Sequence, residues 1–246
     1  MKAHFLGTNG WYDTKTGNTV CVLLKTVHEY IIFDAGNGFY KIDKYIKDDR
    51  PIYLFLSHYH LDHVIGLHTL NKFHFRQGLD VYGPLGLKML FKKVINKPYT
   101  IPVSGLHMKV RLHEISGRRA MPKGINYAPL KHSVLCYGYR FYSEGRTVAY
   151  CTDTGVCDNL FFLANNADLL IAESSYKAGQ KDESWPHLNP ENVANIAKQS
   201  RAKRLVLLHF DAALYLDFRD RIEAGRQARK IFKDTIIGRD DLEISV

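Results

Sequence analysis

Long apolar runs, cysteine pairs and low-complexity tracts are all missing from this chain of 246 residues. No stretch approaches the ~18 consecutive apolar residues of a membrane-spanning helix, so no span is expected. The opening "MKAHFLGTNGW" lacks the apolar core of a secretory leader, is broken by Gly7 and Gly10, and reads as a first strand running into a turn. Four cysteines occur, Cys21, Cys136, Cys151 and Cys157, with no C-x-x-C spacing. That scatter argues against a disulfide framework, suits a reducing cytoplasm and leaves each thiol as a small buried hydrophobe. With no linker-like segment or internal repeat, residues 1–246 are expected to form one domain.

What is present begins with charge. The net charge of +9 favours anionic partners such as phosphates or nucleic acid, and the 46% hydrophobic content is enough for a substantial core. Strands are expected at 2–6, 19–25, 30–36, 52–58, 81–84, 168–175 and 204–210, with a hairpin turning around Ser143–Arg146. Helical spacing starts at His63, recurs at Leu87, Leu90, Phe91 and Val94, and returns at 217–234. A short helix capped by Asp158 is expected, and Asn189–Pro190 marks another helix start. Alternating strands and helices indicate an α/β protein with helices packed outside its sheets.

The chemistry gathers at strand ends. "LFLSHYHLDHVIGL" (54–67) carries H-x-H-x-D-H directly after a buried strand, while His132, Asp153 and His209 fall at later strand ends. In an extended loop alternate side chains share a face, so His58, His60 and Asp62 are expected to point one way. His63 then begins a helix and turns toward a neighbouring centre. Imidazole and carboxylate are natural ligands of zinc and similar divalent ions, and such a stretch can serve two adjacent metals.

These motifs resemble the metallo-β-lactamase superfamily, whose signature is H-x-H-x-D-H, over nearly the whole chain. "HFLGTNG", "TGNT", "FDAG", "CTDTG", "HLNPENVANIA" and "LLHF" are similar to its ribonuclease Z branch. The resemblance implies a four-layer αβ/βα sandwich of two mixed β-sheets with helices outside and the site on one edge. It implies that His58, His60 and His132 hold one metal, that Asp62, His63 and His209 hold a second, and that Asp153 bridges them. The ions would be two divalent cations, zinc first, with Mn2+ or Fe2+ as alternatives. Asp34 would orient a ligand from behind. His187 would contact the scissile phosphate or assist the leaving group, and Glu173 would orient His187. Asp62 would flank a metal-bridging hydroxide, the nucleophile. Arg118, Arg119 and Lys123, in the basic loop "SGRRAMPKG", are expected to contact substrate phosphate.

The expected activity is hydrolysis of a small cyclic or linear phosphodiester, or of a nucleic-acid end, with a homodimer left open. Lactone or other ester hydrolysis is the alternative, and a non-catalytic nucleic-acid-binding role is a third. Only 20 residues separate His132 from Asp153, where transfer-RNA-maturing members carry a long arm, and "HFDAALY" lacks the branch's serine and arginine after the last histidine. Both departures count against transfer-RNA processing.

Overall fold

The computed structural model describes residues 1–116 and 121–246. Among these, the strands form two large sheets. The first has seven strands, in the order Leu242–Ser245, Lys2–Gly7, Cys21–Lys25, Tyr30–Phe33, Ile52–Phe55, Leu79–Gly83 and Val110–Glu114. The second has six, in the order Thr235–Ile237, Leu205–Leu208, Leu169–Glu173, Arg146–Cys151, Cys136–Ser143 and Ile125–Leu130.

Side-chain alternation builds the layers. Ile31 and Phe33 face Val148, Tyr150, Leu169 and Ile171 in a core between the sheets. Tyr30 and Ile32, on the opposite face, pack with Phe39, Leu67, Leu87 and Phe91 from the helical segments Asn37–Lys44, Ile65–Lys72 and Leu87–Lys93. Ala149, Leu170 and Ala172 turn to the helices Asp158–Ala164, Pro190–Gln199 and Phe218–Arg229. Strands buried on both faces therefore read as continuous apolar runs. Stacked rings fill the centre: Phe33 lies 4.8 Å from Tyr150 and 6° from parallel. Truncating Phe33 to alanine there would cost about 3–5 kcal/mol.

The strands carrying Phe33, Phe55, Gly83 and Glu114 run parallel, as do those ending at Cys151, Glu173, Leu208 and Ile237. Parallel strands deliver their C-terminal loops to one edge, where sites collect in α/β sheets. The two-residue strands Asn9–Gly10 and Phe210–Asp211 pair in parallel and tie that edge across the sandwich.

Several elements differ from their sequence patterns in where they begin and end. The helix after the histidine motif starts at Leu61, not His63, and continues from Ile65 as a 3₁₀ segment. Asp158 sits in the first helical turn, with Cys157 at the cap. Asn189 caps as expected, its side chain accepting from Asn192 N at 2.9 Å. Val110–Glu114, Thr235–Ile237 and Leu242–Ser245 are strands that apolar patterning did not reveal. Among the described residues no helix is long and apolar enough to cross a membrane.

Candidate metal centre

Strand ends bring the histidines and aspartates together through unusual backbone. Asp34, Asp153 and His209 have φ of 56°, 49° and 53°, in the left-handed region that L-residues seldom adopt. Asp34 and His209 directly follow their strands and Asp153 follows its strand after Thr152, and buried Asp153 and His209 point into the site. Three overlapping groups of donor atoms result, each within 4.8 Å: His58, His60, His132 and Asp153; Asp62, His63 and His209; and Asp153, His187 and His209. Asp62 thus joins His63, not His58 and His60. The extended alternation expected for 58–62 ends at His60, because Leu61 and Asp62 already belong to the helical turn.

The groups are oriented from behind. Buried Asp34 accepts from Ser57 N (2.7 Å), Ser57 Oγ (2.8 Å), Tyr150 OH (2.6 Å) and His63 Nδ1 (2.9 Å). A carboxylate accepts only, so His63 carries its proton on Nδ1 and turns Nε2 to the site. Ser57 Oγ, having donated to Asp34, accepts from His58 Nδ1 at 3.0 Å. His58 Nε2 is left buried without a hydrogen-bond partner. Ser175 Oγ lies 2.9 Å from His209 Nδ1 and donates to the His209 carbonyl at 2.8 Å, which aims His209 Nε2 inward. Gly10 packs on that ring: a Cβ there would lie 2.6 Å from His209 Cε1.

The donor set suits a divalent cation. His63 Nε2 and His209 Nε2 stand 3.1 Å apart, with Asp153 Oδ1 at 3.2 Å and 3.1 Å from them. Two ring nitrogens facing each other over carboxylates need a positive charge between them. Burial lowers the pKa of His58 and His60 and takes His132 down to about 4, preserving the lone pairs that metals bind. Burial acts likewise on His63 and His209, but Asp153 and Asp62 outweigh it and raise both. Burial would raise Asp62 and Asp153, yet His63 and His209 hold them below the carboxylate range. Protons on those imidazoles stand in for cationic charge.

His187 lies beside this centre, its donor atoms within 4.8 Å of those of Asp153 and His209. Its Nδ1 donates to Glu173 Oε1 at 2.8 Å. Burial disfavours its charge, but the Glu173 carboxylate prevails and raises it to about 9. A cavity of about 430 Å³ opens over Asp62, Asp153, His187 and His209.

A family model described as a β-lactamase superfamily domain matches residues 29–210. The chain belongs to the β-lactamase superfamily. Within it, a "Ribonuclease Z" of Methanothermobacter thermautotrophicus is 25% identical over 305 residues, covering 100% of this chain and 97% of the relative. That span exceeds the 246 residues here, so the relative has stretches without a counterpart. The metallo-β-lactamase fold protein YhfI of Bacillus subtilis superposes with a TM-score of 0.81 at 23% identity, covering 99% of this chain and 98% of its own. Human tRNase Z, short form, gives a TM-score of 0.77 at 25% identity, covering 100% and 99%. The superfamily fold and the likeness to the ribonuclease Z branch are thus both borne out.

The structure gathers His58, His60, Asp62, His63, His132, Asp153, His209, His187, Glu173 and Asp34 around one centre. Lys123 is exposed and does not line the cavity. Arg118 and Arg119 lie outside the described residues. Sequence reasoning missed Ser57, Ser175 and Tyr150, whose roles depend on partners distant in the chain. It also missed Trp11 and Trp185, which line the cavity. Their signal was available: they are the chain's only tryptophans, and each neighbours a motif, in "TNGW" and "SWPHL".

Proposed function

We propose that this superfamily member is a dinuclear metal-dependent phosphodiesterase acting on a small phosphodiester or a nucleic-acid end. The observation that carries the reading is His187, whose Nδ1 is held by Glu173 Oε1 at 2.8 Å while its ring stands beside two groups of candidate metal-ligating side chains. His58, His60 and His132 would hold one divalent ion, zinc first, and Asp62, His63 and His209 the other, with Asp153 shared. Such a pair supplies an activated water and neutralises phosphoryl oxygens. Asp62 sets the direction of approach: its Oδ2 is fixed by Trp11 N (2.7 Å) and lies 3.2 Å from His209 Nε2. His187 then gives its Nε2 proton to the departing alkoxide, a poor leaving group that needs one, and Glu173 holds the ring for that transfer.

The relatives' names support an RNA-type diester bond, while the chain between His132 and Asp153 supports a substrate other than whole transfer RNA. Strands Cys136–Ser143 and Arg146–Cys151 fill that interval, and Glu144 and Gly145, both at positive φ, make the two-residue turn. Four free cysteines support a cytoplasmic setting.

A substrate panel tests the reading. With zinc or manganese, bis(p-nitrophenyl) phosphate should be cleaved well ahead of p-nitrophenyl phosphate and of simple lactones. Faster cleavage of the monoester or of a lactone would overturn the phosphodiesterase assignment.

A further inference from the structure

Trp11 and Trp185 line both the cavity over the metal-ligating residues and a wider, open groove of about 860 Å³ beside it. Indoles are normally spent on burial or on recognition. Here Trp11 is 66% and Trp185 47% exposed. Trp11 also has φ of 72°, a backbone conformation that bulky residues avoid and that persists only where the surroundings impose it. Its backbone N–H donates to Asp62 Oδ2, and its ring meets that of Tyr12 edge-on at 5.2 Å. Trp185 stacks on His60, 5.7 Å away and 12° from parallel, while its backbone carbonyl accepts from Tyr176 OH at 2.6 Å. Both indoles are thus anchored to the site by their own residues while their rings remain open to solvent.

Charge supplies the second observation. Among the described residues, no lysine or arginine lines the cavity, and Lys181 alone does so in the groove. Among the described residues, then, positive charge is sparse around this cavity and groove. Within this cavity, Trp11 and Trp185 offer planar apolar surface to the part of a substrate beyond the phosphoryl group.

We infer that Trp11 and Trp185 form an aromatic slot that stacks the base next to the scissile phosphate, making nucleotidyl phosphodiesters the preferred substrate class over alkyl ones. The slot deepens, and rests on, the phosphodiesterase reading of this site. Stacking tolerates any base, because each presents a π-face, so the slot selects for a nucleotide without selecting its sequence.

The chain's only two fluorescent indoles both sit at the slot, so intrinsic tryptophan emission reports on it alone. In metal-loaded protein, adenosine 5′-monophosphate should quench that emission, and ribose 5-phosphate should not. Trp11→Leu and Trp185→Leu should each weaken adenosine monophosphate binding by about 5- to 100-fold, as expected for one lost base–aromatic stack. Trp185→Phe, which keeps a ring, should recover most of it. In kinetics, thymidine 5′-(p-nitrophenyl phosphate) and methyl p-nitrophenyl phosphate share a leaving group and differ in the base. Wild type should prefer the first, and either leucine variant should reduce the ratio of the two kcat/KM values by a similar factor. Equal binding of the two monophosphates, or a ratio that neither variant moves, overturns the slot. If neither diester is cleaved but adenosine monophosphate still quenches, the slot stands and the phosphodiesterase reading falls. If both diesters are cleaved equally in all variants, the reading stands and the slot falls.

Discussion

Glu173→Gln removes one charge and changes little volume, so it isolates what Glu173 does for His187. The wild-type carboxylate is surrounded by donors. Oε1 accepts from Thr154 N (2.5 Å) and His187 Nδ1 (2.8 Å), and Oε2 from Leu188 N (3.2 Å) and Ser175 N (3.3 Å). A glutamine can serve one of those pairs and turns an N–H2 toward the other, a mismatch costing about 1–3 kcal/mol at any pH. The electrostatic part is separate. Raising His187 from 6.5 to about 9 corresponds to about 3 kcal/mol in favour of its imidazolium, against the penalty of burial. Because the folded pKa lies above the unfolded one, that stabilisation is fully present below 6.5 and disappears as pH rises through about 9. Denaturant unfolding of metal-free wild type and variant should therefore show a stability gap that is widest near about pH 6. By about pH 10 the electrostatic part of that gap should be gone, leaving chiefly the hydrogen-bond mismatch. In the loaded enzyme, the alkaline limb of kcat/KM should move to lower pH by about one unit or more, since a neighbouring opposite charge shifts a pKa by roughly that much. A gap independent of pH, together with an unmoved limb, would refute the idea that Glu173 keeps His187 charged.

Other consequences follow from single contacts. His187→Ala should lower kcat by about 10²–10⁴-fold on diesters with poor leaving groups and far less on nitrophenyl diesters, with metal content unchanged; a uniform loss would make His187 a positioning residue. Asp34→Ala strips His63 and Ser57 of their acceptor, so metal affinity measured by chelator competition should fall about 10–100-fold; unaltered affinity would show that the Asp34 contacts are dispensable. Gly10→Ala pushes a methyl into the His209 ring, so elemental analysis should find loss of one ion first, from a folded protein; two full equivalents of metal would mean that the ring has room to shift.

The parts of this molecule that were legible in advance share a physical cause. Central strands such as Leu169–Glu173 and Leu205–Leu208 are buried on both faces and so appear as unbroken apolar runs. Edge strands carry no such mark: every residue of Val110–Glu114 is only partly buried, and Thr235–Ile237 is three residues long. The ligating residues were legible because their spacing in H-x-H-x-D-H is local. How they are aimed was not, since Asp34 reaches Tyr150 across 116 residues of chain and Ser175 reaches His209 across 34.

Backbone conformation was the least legible feature of the site. Asp34, Asp153, His209 and Trp11 all take positive φ. Aspartate and histidine enter that region more readily than most residues, yet nothing in their sequence neighbours requires it. What imposes it is tertiary: Asp34 is held by four hydrogen bonds, and Trp11 by the same Asp62 oxygen that approaches His209. A strand continuing in extended geometry would carry each of these side chains onward along the sheet. The left-handed conformation departs from that extended course, and for Asp153 and His209 it goes with a charged or ligating group held in the site. The strain is offset by the hydrogen bonds that fix the turned residues, and the same bonds set the direction of the metal-facing atoms. The ligand geometry and the strained backbone are therefore one feature, which is why Gly10→Ala, by displacing a single ring, is expected to release a metal before it unfolds the protein.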